Sequence, residues 1–195
     1  MNRVRGFLVT GDSLLCNNVP YNGIECDPWP LNRELLEQAL TREQLDSFDS
    51  QTDDLCVADG IALLDDVTLL KSYVQACKTY KQAYCVKLLE VYLSHSSPVA
   101  EACPSESLTT PFRFLGYDVR ECASDYYSAV LSDIINGPFL FGGEIRNSLN
   151  NNGLFASFDA AESFLIQREE KMQLDTAFVF ETCHPAVIKI YSAAF

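Results

Sequence analysis

AFVFETCHPAVIKIY, residues 177–191, decides the fold class. Ala177–Glu181 and Ala186–Tyr191 are apolar runs rich in β-branched and aromatic residues, and each reads as a strand. The Cys183-His184-Pro185 break between them leaves no room for a helix. Upstream, strand and helix patterns alternate, so two strands adjacent in sequence depart from that alternation. The combination predicts a single α+β domain over 1–195, with a mixed or antiparallel sheet packed by helices on one or both faces.

Working back along the chain, Val4–Thr10 reads as a first strand and Gly11–Pro30 as a long loop of turn formers, with Trp29 as a lid over the core. Leu31–Phe48 is helical, with an apolar stripe at Leu35, Leu36, Ala39 and Leu40. Thr41-Arg42-Glu43-Gln44 has the capping-box pattern and starts a second short helix, which Ser50–Asp54 follows as a polar connection. Leu55–Ala58 is a short strand. Asp65 or Asp66 caps a helix running to about Lys81, and its inner face is Leu69, Leu70, Tyr73, Val74 and Cys77. Ala83–Leu93 reads as a long strand with Tyr84, Val86, Leu88, Glu90 and Tyr92 on one side, although Leu88, Leu89, Tyr92 and Leu93 also fit a helical period. The Ser- and Pro-rich stretch 95–111 is the clearest break, a surface loop or the point where the domain divides into subdomains. Phe112–Val119 is a strand, Ser124 caps a helix to Ile135, and Phe139–Asn152 is Gly- and Asn-rich. Ser157 or Asp159 opens a last helix to about Met172.

The 195 residues carry 27 acidic and 14 basic side chains, a net charge of −13. Such a field opposes phosphate backbones and anionic membrane surfaces, so the reading is no nucleic acid and no membrane. A basic protein would be drawn in and its association steered. No run approaches the roughly 20 apolar residues of a membrane span. Phe7–Thr10 is shorter than the about 7–15 apolar residues of a signal peptide, which predicts a cytoplasmic protein. Eight cysteines, none spaced C-x-x-C, with Cys77 and Cys85 inside apolar segments, read as reduced and mostly buried thiols.

Catalytic signatures are missing. There is no G-x-S-x-G, Walker loop or G-x-G-x-x-G. Cys183 and His184, neighbours in an extended segment, would point apart. No catalytic residue, metal ligand or cofactor is assigned. The densest charge lies in Thr41–Asp66, where eight acids face one base, Arg42, for a local charge of −7. This stretch is either a solvated, helix-capping face or an acidic docking surface. A second candidate is the predicted strand-to-helix junction holding Tyr117, Asp118, Asp125, Tyr126 and Tyr127, since tyrosine brings contact area and a polar tip at low entropic cost. The candidate partner-binding residues are Asp46, Asp49, Asp53, Asp54, Asp59, Asp118, Asp125 and Tyr126.

Phe114-Leu115-Gly116-Tyr117-Asp118-Val119, Asp125-Tyr126-Tyr127-Ser128-Ala129 and Asn152-Gly153-Leu154-Phe155 before an Ala/Glu-rich helix resemble small bacterial immunity-type proteins. The resemblance covers Phe112–Lys171. It implies a cytoplasmic protein that neutralises a cognate toxin, often a basic nuclease, by binding it, and it carries over no set of functional residues. A binding or inhibitory protein is therefore the expectation. The alternatives are a small enzyme with a carboxylate or Cys/His site, and an anti-defence binder of a small ligand.

Overall fold

The computed structural model describes residues 3–11, 14–16, 19–24, 29–53, 63–93, 112–120, 128–136, 145–174, 186–193 and 195. They form the strands β1 (Arg3–Thr10), β2 (Leu14–Cys16), β3 (Val19–Tyr21), β4 (Cys85–Leu93), β5 (Phe112–Arg120) and β6 (Ala186–Ala193). The helices are α1 (Arg33–Ala39), α2 (Arg42–Asp53), α3 (Val67–Thr79), α4 (Ala129–Asn136), α5 (Ile145–Ser148) and α6 (Phe158–Leu174). The fold is α+β. Its main sheet has the order β1-β4-β6-β5 and is antiparallel throughout.

The closing strand β6 lies inside the sheet, between β4 and β5. That position explains its composition: Ile188 and Ile190 are buried in the core on one face, while on the other Val187 is buried and Lys189 and Tyr191 are half-buried. Among the described residues each sheet edge carries one backbone bridge. Phe7 of β1 exchanges backbone hydrogen bonds with Leu64, and Tyr117 of β5 with Phe155. Short caps of this kind keep an edge from pairing with another chain.

Strand alternation separates two cores. Phe7, Val9, Val86 and Leu88 point to one face and pack with Leu36, Leu45, Phe48 and the inner side of α3. The predicted apolar face of α3 is all buried there. Leu8, Leu89, Ile188 and Ile190 join the second core, with Val130, Leu131 and Ile134 of α4 and Phe164 and Leu165 of α6. Trp29 packs edge-on against Phe48 and Tyr73, with ring centroids 5.2 and 5.3 Å away, and touches both cores, which is the lid expected of it.

Several boundaries differ from the sequence reading. Gly11–Pro30 is not all loop, because it contains the β2–β3 hairpin. The capping box at Thr41 forms: Gln44 N–H donates to Thr41 Oγ1 at 3.3 Å, and Thr41 N–H to Gln44 Oε1 at 3.0 Å. The helix it starts runs on to Asp53, through the predicted polar connection, because Gln51 and Thr52 are half-buried and Gln51 Oε1 accepts the Asp65 N–H. Asp66, one of the two expected caps, accepts the N–H groups of Thr68 and Leu69. Helix α4 is described from Ala129, where the Ser128 hydroxyl accepts the Leu131 N–H at 2.9 Å, and Ser124, the expected cap, lies outside the described residues. Ser157, rather than Asp159, caps α6 through the Ala160 N–H. The predicted strands Leu55–Ala58 and Ala177–Glu181 and the stretch 95–111 lie outside the described residues.

Helix α3 ends at Thr79, short of Lys81, by a left-handed turn. Gln82 N–H donates to Cys77 C=O and Lys81 N–H to Lys78 C=O, with Lys81 at φ 54°. This is the hydrogen-bond pattern of a Schellman cap with lysine where glycine is usual. Lys81→Gly is therefore expected to stabilise the protein by about 0.5–1 kcal/mol, read as a higher urea midpoint at unchanged slope.

Candidate functional site

Three places concentrate polar chemistry. The first is the outer surface of α1 and α2. Apolar Leu36, Leu45 and Phe48 turn inward, which leaves Glu34, Glu37, Glu43 and Asp46 exposed. Asp49 is half-exposed. The two bases of these helices are already engaged. Arg33 holds Glu37 through Nε at 2.9 Å and Asp49 through Nη1, and Arg42 holds Asp46 at 3.0 Å. Asp49 first, then Glu37, raise the Arg33 guanidinium further above its ordinary range. A groove of about 490 Å³ opens between these helices and α3, lined by Gln38, Gln44, Lys71, Ser72, Gln75 and Tyr80 among others.

Of the sequence-predicted residues, Asp46 and Asp49 lie on this surface. Asp53 is the last residue of α2. Asp54, Asp59, Asp125 and Tyr126 lie outside the described residues. Asp66, counted in the local charge, is committed to capping α3.

Asp118 requires correction as a partner-binding residue, because its side chain is 0% exposed. One carboxyl oxygen takes the Tyr21 hydroxyl at 2.6 Å and the Ile24 N–H at 3.1 Å. The other takes the Val119 N–H at 2.9 Å and the Ser128 hydroxyl at 2.6 Å. This second polar place thus ties the segment after β3, strand β5 and the start of α4 together. Gly23 leaves the room for it: a Cβ there would sit 2.3 Å from both Asp118 Oδ2 and Tyr21 Oη. The Gly23 carbonyl accepts from the buried Lys87 ammonium at 2.6 Å. Burial raises the Asp118 carboxyl above the ordinary carboxylate range, while its four donors oppose the rise. Tyr21 is raised well above an ordinary tyrosine, by burial first and then by the charge of Asp118, so it keeps its proton as a donor.

No known protein family, curated protein sequence or solved structure matches this chain. The reading of its sites therefore rests on their own geometry.

The third place was not singled out in the sequence. The register sets Arg5, Glu90, Lys189 and Tyr117 in one row across all four strands of the sheet. Glu90 is 6% exposed, accepts the Tyr92 hydroxyl at 3.0 Å and lies 3.6 Å from Arg5 Nε. Lys189 Nζ stands 5.6 Å from the Phe114 ring centre and 5.0 Å from that of Tyr191. Its neighbour Tyr191 is the main influence holding its ammonium above the ordinary lysine range, with smaller contributions from the charges of Tyr117 and Glu90.

Among the described residues no three His, Cys, Asp or Glu side chains are grouped as a metal site, and no helix is long and apolar enough to cross a membrane. Cys77 is a free thiol, and burial pushes it up to about 11, which leaves it a weak nucleophile.

Proposed function

We propose that this protein is a binding and inhibitory protein of the immunity type, which neutralises a basic toxin or effector by docking it on the acidic surface of α1 and α2. The observation that carries the reading is the charge imbalance of that surface. Its two arginines are each satisfied by carboxylates of the same two helices, so Glu34, Glu43 and the unpaired lone pairs of Glu37, Asp46 and Asp49 all face solvent. The net charge of −13 extends the attraction beyond contact and raises the on-rate of a basic partner at low salt. The adjoining groove gives the surface relief and amide groups that can hydrogen-bond a docked chain. The acidic residues beyond Asp53 in sequence, Asp54 and Asp59, belong to the same proposal through their place in the chain.

The test is affinity capture of the tagged chain from a lysate of its own cells at low salt, with mass spectrometry of what stays bound. The expected result is one stoichiometric basic protein that leaves as salt rises. The double variant Glu43→Lys, Asp46→Lys then slows its association and flattens the salt dependence, with little change in stability because both positions are exposed. Capture that survives this reversal with unchanged kinetics removes the α1–α2 surface from the interface. Hydrolytic activity of the partner-free chain would overturn the inhibitor reading itself.

A further inference from the structure

We propose that the sheet strip built by Phe114, Tyr117, Lys189 and Tyr191 is a second interaction surface, which receives an acidic peptide segment carrying aromatic side chains. The bulge in β5 creates the strip. Register with β6 slips between Phe114 and Gly116, so Phe114 opposite Tyr191 and Tyr117 opposite Lys189 share one face although their numbers differ in parity. The rings are arranged edge to face: Phe114 with Tyr117 at 5.3 Å and with Tyr191 at 5.8 Å between centroids. Phe114 is nevertheless 41% exposed, one of two large apolar side chains left so open among the described residues. An aromatic ring held in place by its neighbours and left in water has contact area to offer at small entropic cost.

The charge on the strip selects the occupant. With 27 acids to 14 bases, a lysine here has carboxylates in excess to choose from. Lys189 makes none of the described ion pairs: Glu90, opposite it in the register, lends its charge but is engaged by Arg5 and Tyr92, and the ammonium sits over two ring faces. It is a fixed cation on an aromatic floor, complementary to a carboxylate beside an aromatic group. A half-exposed sheet face suits a polypeptide segment better than a small molecule, which needs a concave site. A nucleic acid brings a phosphate charge on every nucleotide against the one ammonium of the strip and a net charge of −13, whereas a peptide can dock through a single carboxylate.

The experiment is an NMR titration of the full labelled chain with a blocked peptide of alternating Phe and Asp. Its Phe/Lys counterpart and a short oligothymidylate serve as comparators. Saturable shifts at Phe114, Lys189 and Tyr191 are expected with the Phe/Asp peptide alone. The affinity should fall by about tenfold in Lys189→Met, which keeps the stem over the rings and removes the charge. Phe114→Ser, at an open position, should weaken binding equally and leaves the test intact if the first variant is unstable. No saturable shift, an equal response to the Phe/Lys peptide, a response to the oligonucleotide, or shifts that track protein concentration without peptide would each overturn the proposal.

Discussion

Asp118→Ala is expected to lower the stability of the fold by roughly 3–6 kcal/mol, a large part of the about 5–15 kcal/mol that a domain has. The carboxyl group receives four hydrogen bonds from three separate segments: Tyr21 and Ile24, Val119, and Ser128. After truncation the Tyr21 hydroxyl has another acceptor to turn to, since the Ile24 carbonyl already lies 3.0 Å from its Oη. The Ile24 and Val119 N–H groups have no such freedom, and a buried donor left unpaired costs about 1–3 kcal/mol. The vacated volume adds a cavity term. Asp118→Asn separates the two effects. It fills the space but sets an NH₂ group against one of the two backbone donors, so the loss should be about 1–3 kcal/mol. Urea midpoints of the three proteins measure this directly, and a loss below 1 kcal/mol in Asp118→Ala would show that the junction holds without its carboxyl.

The same group predicts a pH dependence. Its pKa in the folded chain is raised above the unfolded value, so the folded state binds the proton more tightly. Stability from this source is complete below the ordinary carboxylate range and is lost as pH rises through the folded value. Burial is the cause, and the geometry has a place for the proton. Tyr21 has one hydroxyl hydrogen and two nearby acceptors, and an Asp118 proton donated to Tyr21 Oη would free that hydrogen for Ile24 C=O. In the Asp118→Asn variant this downward slope with rising pH should disappear.

What could be read from the sequence, and what could not, divides along the same line. Local signals were legible. Thr41 and Gln44 announced their reciprocal cap, Asp66 the start of α3, and the apolar spacing of Leu69, Leu70, Tyr73, Val74 and Cys77 its buried face. The continuation of α2 to Asp53 was hidden because Gln51 and Thr52 are polar yet half-buried, and the bond that uses Gln51 comes from Asp65, on the far side of α2's end. Ser128 was not legible as a cap, because its hydroxyl is fixed by a partner outside the helix, Asp118. Asp118 was the costliest misreading. Strict alternation from Phe112 and Phe114 would set it on the exposed strip, and the slip between Phe114 and Gly116 turns it inward. The signal nearest to that bulge was Gly116 itself, at φ 148° and with Leu154 Cβ 2.6 Å from where a Cβ would stand.

The bulge depends in turn on the loop that follows α5, and Gly153→Ala should expose that dependence. The slip frees the Leu115 carbonyl, and the side-chain amides of Asn150 and Asn152 both donate to it at 2.8 Å. Asn150 also shapes the loop itself, with Oδ1 accepting from Asn152 N–H at 2.8 Å and its carbonyl accepting from Gly153 N–H at 3.0 Å. The chain then reverses through Gly153 at φ 71° and lies so close to β3 that an added Cβ would be 2.0 Å from the Pro20 carbonyl oxygen. Because the obstacle is backbone, no rotamer change relieves it. Either the loop withdraws, breaking the Asn22 N–H to Asn152 C=O bond of 2.8 Å and loosening both amides from Leu115, or β3 moves and pulls Tyr21 away from Asp118. Left-handed backbone and overpacking together cost roughly 2–5 kcal/mol. For a chain of this length that is a fall in melting temperature of roughly 4–20 °C. Hydrogen exchange should quicken first at the Asn22 and Gly153 amides. Gly153→Asn distinguishes the two causes, since asparagine tolerates the left-handed backbone but carries the same Cβ. If it destabilises as much as alanine, the close approach of Pro20 is the dominant constraint. If it restores most of the loss, the backbone conformation is.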